Sequence, residues 1–138
     1  MSATSVPALR GFTARGVMHG PVAAVDPSAE LGELAAVMSS KRIHCVVVDG
    51  ITRDARGEHL VWGVVSDLDL VRAALDDTPG MTAGRIAATE AICVDADADL
   101  ESVAALLVAN EASHVLVVED ERPVGVVSTF DVAGVLGR

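Results

Sequence analysis

The chain has almost no aromatic side chains: among 138 residues there are two Phe, one Trp and no Tyr. A core without rings must be filled by Val, Leu, Ile and Ala, and a hydrophobic share of 51% supplies them. That composition belongs to a globular chain and not to a disordered one. Basic residues are scarce too, 10 Lys and Arg against 20 Asp and Glu, for a formal net charge of −10. With no basic cluster to neutralise phosphates, neither nucleic acid nor an anionic membrane is expected as a partner. No apolar run approaches the roughly 18 residues that span a bilayer. The opening Met1-Ser2-Ala3-Thr4-Ser5-Val6-Pro7 lacks a basic stretch followed by an apolar one, so no secretory signal is expected. The only two cysteines, Cys45 and Cys93, lie in apolar stretches. Buried reduced thiols in a cytoplasmic protein are the expectation, and the sequence leaves a disulfide between them open.

What the chain does contain, it contains twice. Residues 17–38 can be laid on 86–107 at a constant offset of 69, so that Val25-Asp26, Ala29, Leu31 and Ala35-Ala36 fall on Val94-Asp95, Ala98, Leu100 and Ala104-Ala105. Downstream, Gly63-Val64-Val65-Ser66-Asp67-Leu68-Asp69 returns as Gly125-Val126-Val127-Ser128-Thr129-Phe130-Asp131. Each copy is about 60 residues, marginal as a domain by itself, so two copies sharing a core are the economical arrangement.

Each copy opens on a short apolar segment, Val22 to Val25 or Ala91 to Val94. A helix is predicted next, from Leu31, Leu34, Ala35 and Met38 at i, i+3, i+4 and i+7, a stripe repeated by Leu100, Val103, Ala104 and Leu107. Asp26-Pro27-Ser28 and the acidic run from Asp95 to Asp99 precede these helices, where the helix dipole favours negative charge. The Val-rich runs Cys45-Val46-Val47-Val48 and Val115-Leu116-Val117-Val118 predict strands covered on both faces, each followed by a second strand ending at Ser66 or Ser128. A second helix starts at each Ser, with Leu68, Val71 and Leu75 on one side in the first copy. The fold class is therefore α/β (α+β), a β-α-β-β-α unit used twice. From Val48 to Gly63 is 15 positions and from Val118 to Gly125 is 7, and the extra polar residues within Asp49 to His59 are expected to form an exposed loop. The expected organisation is a loose tail over 1–11, repeat one over 12–77, a linker over 78–84 with Pro79 and Gly80, and repeat two over 85–138.

The retained polar residues suggest chemistry. At each strand-to-helix corner the first-turn N–H groups lack internal partners and suit a phosphate. The Ser66 and Ser128 hydroxyls can bond the same anion, and the Asp69 and Asp131 carboxylates can accept two hydroxyls of a ribose. Gly63 and Gly125 permit close approach of backbone or ligand. Together these features suit a nucleotide. A single Ser-x-x-Asp reads more readily as a capping box, in which the two side chains satisfy the helix's own N–H groups.

The doubled set, apolar-Asp-x-x-x-x-Leu, Ala-x-x-Met/Leu, His-x-Val/Leu-Val-Val and Gly-Val-Val-Ser-x-x-Asp, resembles a tandem pair of cystathionine-β-synthase (CBS) domains, the Bateman module, over about residues 15–137. The resemblance implies two pseudo-twofold-related repeats packed sheet to sheet, with an adenosine ligand (AMP, ADP, ATP or S-adenosylmethionine) as effector in the cleft between them. It implies a non-catalytic sensor that needs no cofactor, with Asp69 and Asp131 on ribose hydroxyls and Ser66 and Ser128 near phosphate. It also implies that Val22-Ala23 and Ala91-Ile92 border the adenine with their backbone and that Val64 and Val126 pack on its face. His44 and His114, read as matching residues before the first paired strand, stand where relatives often carry a base that reaches phosphate. A His that titrates near pH 6.5 serves there weakly, and a structural His at a strand mouth is an equal reading. With the acidic composition, this favours AMP over ATP. Arg42, Arg72 and Arg122 carry charge, but nothing in the sequence aims them.

The rival readings are weaker or different in kind. A catalytic Cys45 would need a His, yet neighbouring strand residues point to opposite faces, so His44 cannot easily activate it. Cys45, Cys93, His44 and His114 lack metal-ligand spacing, and no metal is expected. The serious alternative is a ligand-free interaction module that acts through homodimerisation or a protein partner. Apolar helix faces make a homodimer expected under either reading, and any regulated target would be a separate protein.

Overall fold

The Val runs form the middle strands of two three-stranded sheets in the computed structural model, which describes residues 7–20, 22–54, 57–77, 79–87 and 91–138. In the first sheet, β1 (Ala24–Val25) pairs parallel with β2 (Cys45–Asp54), and β2 pairs antiparallel with β3 (Gly57–Ser66). In the second, β4 (Cys93–Asp95), β5 (His114–Glu119) and β6 (Arg122–Ser128) repeat that order and those directions. The helices α2 (Leu31–Lys41) and α5 (Leu100–Ala109) link the parallel pairs, and α3 (Asp67–Asp76) and α6 (Thr129–Leu136) follow the hairpins. The twofold β-α-β-β-α pattern is the one the sequence predicts. Two further short helices, α1 (Ala14–Val17) and α4 (Ala83–Ile86), precede β1 and β4.

The chain divides into two compact units, and the division does not follow the repeats. One unit holds the described residues up to Val22 together with Ile92–Arg138; the other holds those of 23–91. Thus α1, which leads repeat one, packs with the strands of repeat two. Its bonds are Ala14 N to Ala98 O and Arg15 N to Ala96 O, both 2.9 Å. Residues of α4 make the counterpart bonds in the other unit, Ala83 N to Ala29 O and Gly84 N to Pro27 O, both 2.8 Å. The partners again differ by 69, so the leading segments are exchanged symmetrically. Leu9 and Ala14 lie in the core of the first unit with Leu100, Val103, Leu107, Val115, Val117 and Val127. Ala83 does the same in the second, beside Leu34, Met38, Val46, Val48 and Val65.

Several local expectations need correction. Of the loop expected within Asp49 to His59, Ala55 and Arg56 lie outside the described residues and the rest is strand: β2 and β3 stay paired through Ile51↔Leu60, Thr52↔His59 and Arg53↔Glu58 to Asp54↔Gly57. Asp49 to Asp54 pair one to one with Trp62 to Gly57, and so the polar stretch is accommodated as strand. Of the tail expected over 1–11, residues 1–6 lie outside the described residues, whereas Pro7–Leu9 is a 3-10 turn with Leu9 buried. Of the linker expected over 78–84, Thr78 lies outside the described residues and Ala83-Gly84 already belongs to α4. Helix α2 is N-capped by Glu30 without a side-chain bond, while Asp26 accepts the Ser28 N–H (2.8 Å) and hydroxyl (2.6 Å) to close a turn before it. Those bonds hold the Asp26 carboxyl below its ordinary range. In α5, Asp99 is a true cap that accepts Ser102 N–H at 2.8 Å. Leu34 and Met38 are buried as the α2 stripe requires, but Ala35 faces outward. In α3 the side that carries Leu68, Val71 and Leu75 is exposed, and Ala73 is the buried residue. Cys45 is half-buried and Cys93 is exposed, against the expectation of two buried thiols.

Candidate functional site

Both strand-to-helix corners have the same construction. Ser66 ends β3 in extended backbone and caps α3: its Oγ accepts the Asp69 N–H at 3.1 Å, and Asp69 Oδ2 accepts the Ser66 N–H at 2.9 Å. Ser128 and Asp131 repeat this at the head of α6, at 3.1 and 2.8 Å. These are reciprocal capping boxes, so the structural reading of Ser-x-x-Asp holds in both copies. It consumes only one oxygen of each carboxylate. A hydroxyl that accepts a backbone N–H also keeps its own hydrogen, which each Ser can still donate.

The second oxygens differ. Asp131 Oδ1 is hydrogen-bonded by His19 Nε2, and only 7% of the Asp131 side chain is exposed. Among the described residues, the second oxygen of Asp69 has no partner. His19 reaches Asp131 because its backbone is fixed to β6: His19 N–H donates to Val126 O at 2.9 Å and Val126 N–H to His19 O at 3.0 Å. Arg15, one turn earlier, bonds Asp97 at 3.3 Å and also Glu119. The Glu119 hydrogen bond, more than that of Asp97, raises the guanidinium above its ordinary range, and Arg15 in turn holds the Glu119 carboxyl below its own. Sequence reasoning missed His19. The one signal available was that the offset of 69 lays His19 on Ala88, a polar residue against an apolar one.

The glycines are approached closely, but by the chain itself. A Cβ on Gly63 would meet the Ala87 Cβ at 2.9 Å, and one on Gly125 would meet the Met18 side chain. Ala87 and Met18 are counterparts in the repeat and belong to the exchanged segments. Val64 is half-buried and Val126 buried in the strands that lead to the corners.

His44 and His114 are not equivalent. Cys45 stands opposite Ser66 in the first hairpin and His114 opposite Ser128 in the second, which matches His114 to Cys45 and His44 to Ser113. The same conclusion follows from Asp67 N–H bonding His44 O at 2.8 Å and Thr129 N–H bonding Ser113 O at 2.9 Å. A shift of one residue along a strand reverses the face, so the two rings cannot play the same part. The His44 ring is exposed and bonds Asp67 Oδ2 at 3.1 Å; the half-buried His114 has its Nδ1 2.8 Å from Ser113 Oγ.

Of the segments expected to border adenine, the Ala23 and Ile92 carbonyls accept from Val47 (2.9 Å) and Leu116 (2.8 Å), and Ala91 N–H donates to Trp62 O at 2.7 Å. One unit therefore brings together Val22, Ile92, His114, Val126, Ser128, Asp131 and the unforeseen His19; the other holds Ala23, His44, Val64, Ser66, Asp69 and Ala91. Among the described residues no group of three or more His, Cys, Asp or Glu is placed to hold a metal, and no helix is long and apolar enough to cross a membrane.

Comparison with known proteins agrees with the fold. The CBS domain model matches the chain twice, over residues 14–76 and 83–138. No curated protein matches the sequence. Among solved structures, the chain resembles the CBS domain pair of protein MJ0100 in complex with 5′-methylthioadenosine and S-adenosyl-L-methionine, at 22% identity and TM-score 0.75, over 91% of this chain and 95% of that one. It resembles CBSX2 in complex with AMP at 24% identity and TM-score 0.67, over 91% and 96%. It also resembles Hypoxic Response Protein I with two coordinated zinc ions, at 28% identity and TM-score 0.68, over 88% and 97%.

Proposed function

The chain belongs to the CBS-domain family, with two of the domains in tandem, and from that premise we propose that it is a non-catalytic regulatory module that binds an adenosine ligand at its Ser-x-x-Asp corners. The observation that carries the reading is the doubled corner, in which each aspartate spends one oxygen on its cap; among the described residues the second oxygen of Asp69 is an open acceptor, and that of Asp131 is bonded by His19. A ribose offers two adjacent hydroxyls to such an acceptor. The Ser66 and Ser128 hydroxyls, each with a hydrogen left to donate, then serve a phosphate. Adenine lies against Val64 or Val126, bordered by the Val22-Ala23 and Ala91-Ile92 backbone. The adenosine ligands seen with the MJ0100 pair and with CBSX2 support the class of ligand. AMP is favoured over ATP, because the net charge is −10 and the His44 ring is hydrogen-bonded to Asp67. The module works in the cytoplasm and signals to a separate protein through the unequal affinity of the ligand for two of its states.

Thermal unfolding with AMP, ADP, ATP, NAD(H) and S-adenosylmethionine tests this. A ligand that binds only the folded chain stabilises it by about 2.7 kcal/mol at a hundredfold excess over Kd. The reading expects a raised Tm with AMP, and an unmoved Tm across the adenosine series contradicts it.

A second reading, an interaction module acting through homodimerisation, is favoured by the exposed apolar face of α3, where Leu68, Val71 and Leu75 are 61%, 57% and 81% exposed, and by Phe130 on α6 at 83%. Apolar residues in a row on one helix face suit a second copy of the chain. Sedimentation should show a dimer that Leu75→Glu dissociates; a monomeric wild-type chain removes this reading.

A further inference from the structure

We propose that His19 is a built-in competitor for the Asp131 carboxylate, so that the two corners, alike in sequence, bind ligand unequally: the Asp69 corner directly, the Asp131 corner only after His19 is displaced. The inference rests on the adenosine reading above and specifies how that site is regulated. A carboxylate oxygen can only accept a hydrogen bond, so His19 presents Nε2–H to Asp131 Oδ1. A ribose hydroxyl would present the same kind of donor to the same oxygen. With Oδ2 held by the Ser128 N–H at 2.8 Å, the carboxylate has both oxygens engaged and is nearly covered.

The His19 side chain is not a core element. It is 75% exposed, whereas its backbone is pinned to Val126 by two hydrogen bonds. Displacement therefore needs a side-chain rotation and no movement of the segment. The sequence counterpart of His19 in the second copy is Ala88, which has no side-chain donor. One duplicated motif thus yields two affinities, and the lower one is set by a residue outside the motif.

The first readout needs no ligand. In the 15N spectrum of the imidazoles, His19 should report a hydrogen-bonded Nε2–H that changes in Asp131→Asn and is unaffected by Asp69→Asn. Identical His19 signals in wild type and Asp131→Asn overturn the proposal whatever nucleotides do. The second readout is calorimetric titration with AMP, and in turn with S-adenosylmethionine, in an Asp69→Asn background that isolates the Asp131 corner. There His19→Ala should bind about tenfold more tightly than the parent, the scale of one charge-assisted hydrogen bond. His19→Gln, whose amide N–H can take the place of Nε2–H, should restore the weaker binding. Equal or weaker binding in His19→Ala overturns the competitor role and leaves the adenosine reading standing. No binding of either ligand to wild type or to His19→Ala, with the His19 signal as expected, overturns the adenosine reading and this proposal with it.

Discussion

Met18 lies against Gly125 so closely that a Cβ placed on the glycine would come within 2.5 Å of the methionine sulfur and 2.9 Å of the methionine Cβ. The glycine of the Gly-Val-Val-Ser motif thereby admits the leading segment of the other repeat. Gly125→Ala should cost about 1–3 kcal/mol, the usual penalty for overpacking. Gly32, in α2, has open space where a methyl group would stand, with nothing within 4 Å, and Gly32→Ala should add about 0.5 kcal/mol from helix propensity. Urea unfolding of the two variants should move in opposite directions.

Leu9 is 5% exposed and belongs to the core of the unit formed with residues 92–138. Leu9→Ala should destabilise the protein by about 2–4 kcal/mol, as buried Leu truncations do. A loose tail, which is what the composition before Phe12 suggests, would give no change in Tm.

The Arg15–Glu119 pair predicts a pH dependence. Arg15 depresses the folded-state Glu119 carboxyl below its ordinary 4.5. The contribution is thus present above that value and lost as pH falls through the lower folded one. Glu119→Gln should melt slightly below wild type at pH 7, and the gap should close in acid. The effect is small because both side chains are well exposed and solvent screens the pair. A gap that widens in acid would contradict the assignment.

The sequence makes the repeat legible because a strand and a helix leave local periods, and the offset of 69 carries through to the hydrogen bonds of Ala14 and Ala83. It does not reveal that these two residues exchange units, since nothing in a periodic pattern says which copy a leading segment will join. Polar composition suggests a loop after Val48, whereas the register from Ile51↔Leu60 onward continues the ladder. The face of α3 is left unassigned for another reason: Leu68, Val71 and Leu75 share one side of the helix, and spacing does not distinguish a core from a surface left for a partner. His44 and His114 look alike because both precede a Val run, and pairing with Ser66 and Ser128 separates them by one position. His19 is 112 residues from Asp131 and has no polar counterpart in the second copy, so the comparison that exposes the motif hides its competitor.

The most direct measurement is calorimetry of AMP binding to wild type and to the Asp69→Asn, Asp131→Asn double variant. Asparagine keeps an oxygen for the cap N–H groups of Ser66 and Ser128, so the helices retain their starts while the carboxylates are gone. The account predicts binding to wild type and a loss of at least about tenfold in the double variant, with folding unchanged by circular dichroism. Wild-type affinity in a folded double variant would contradict it.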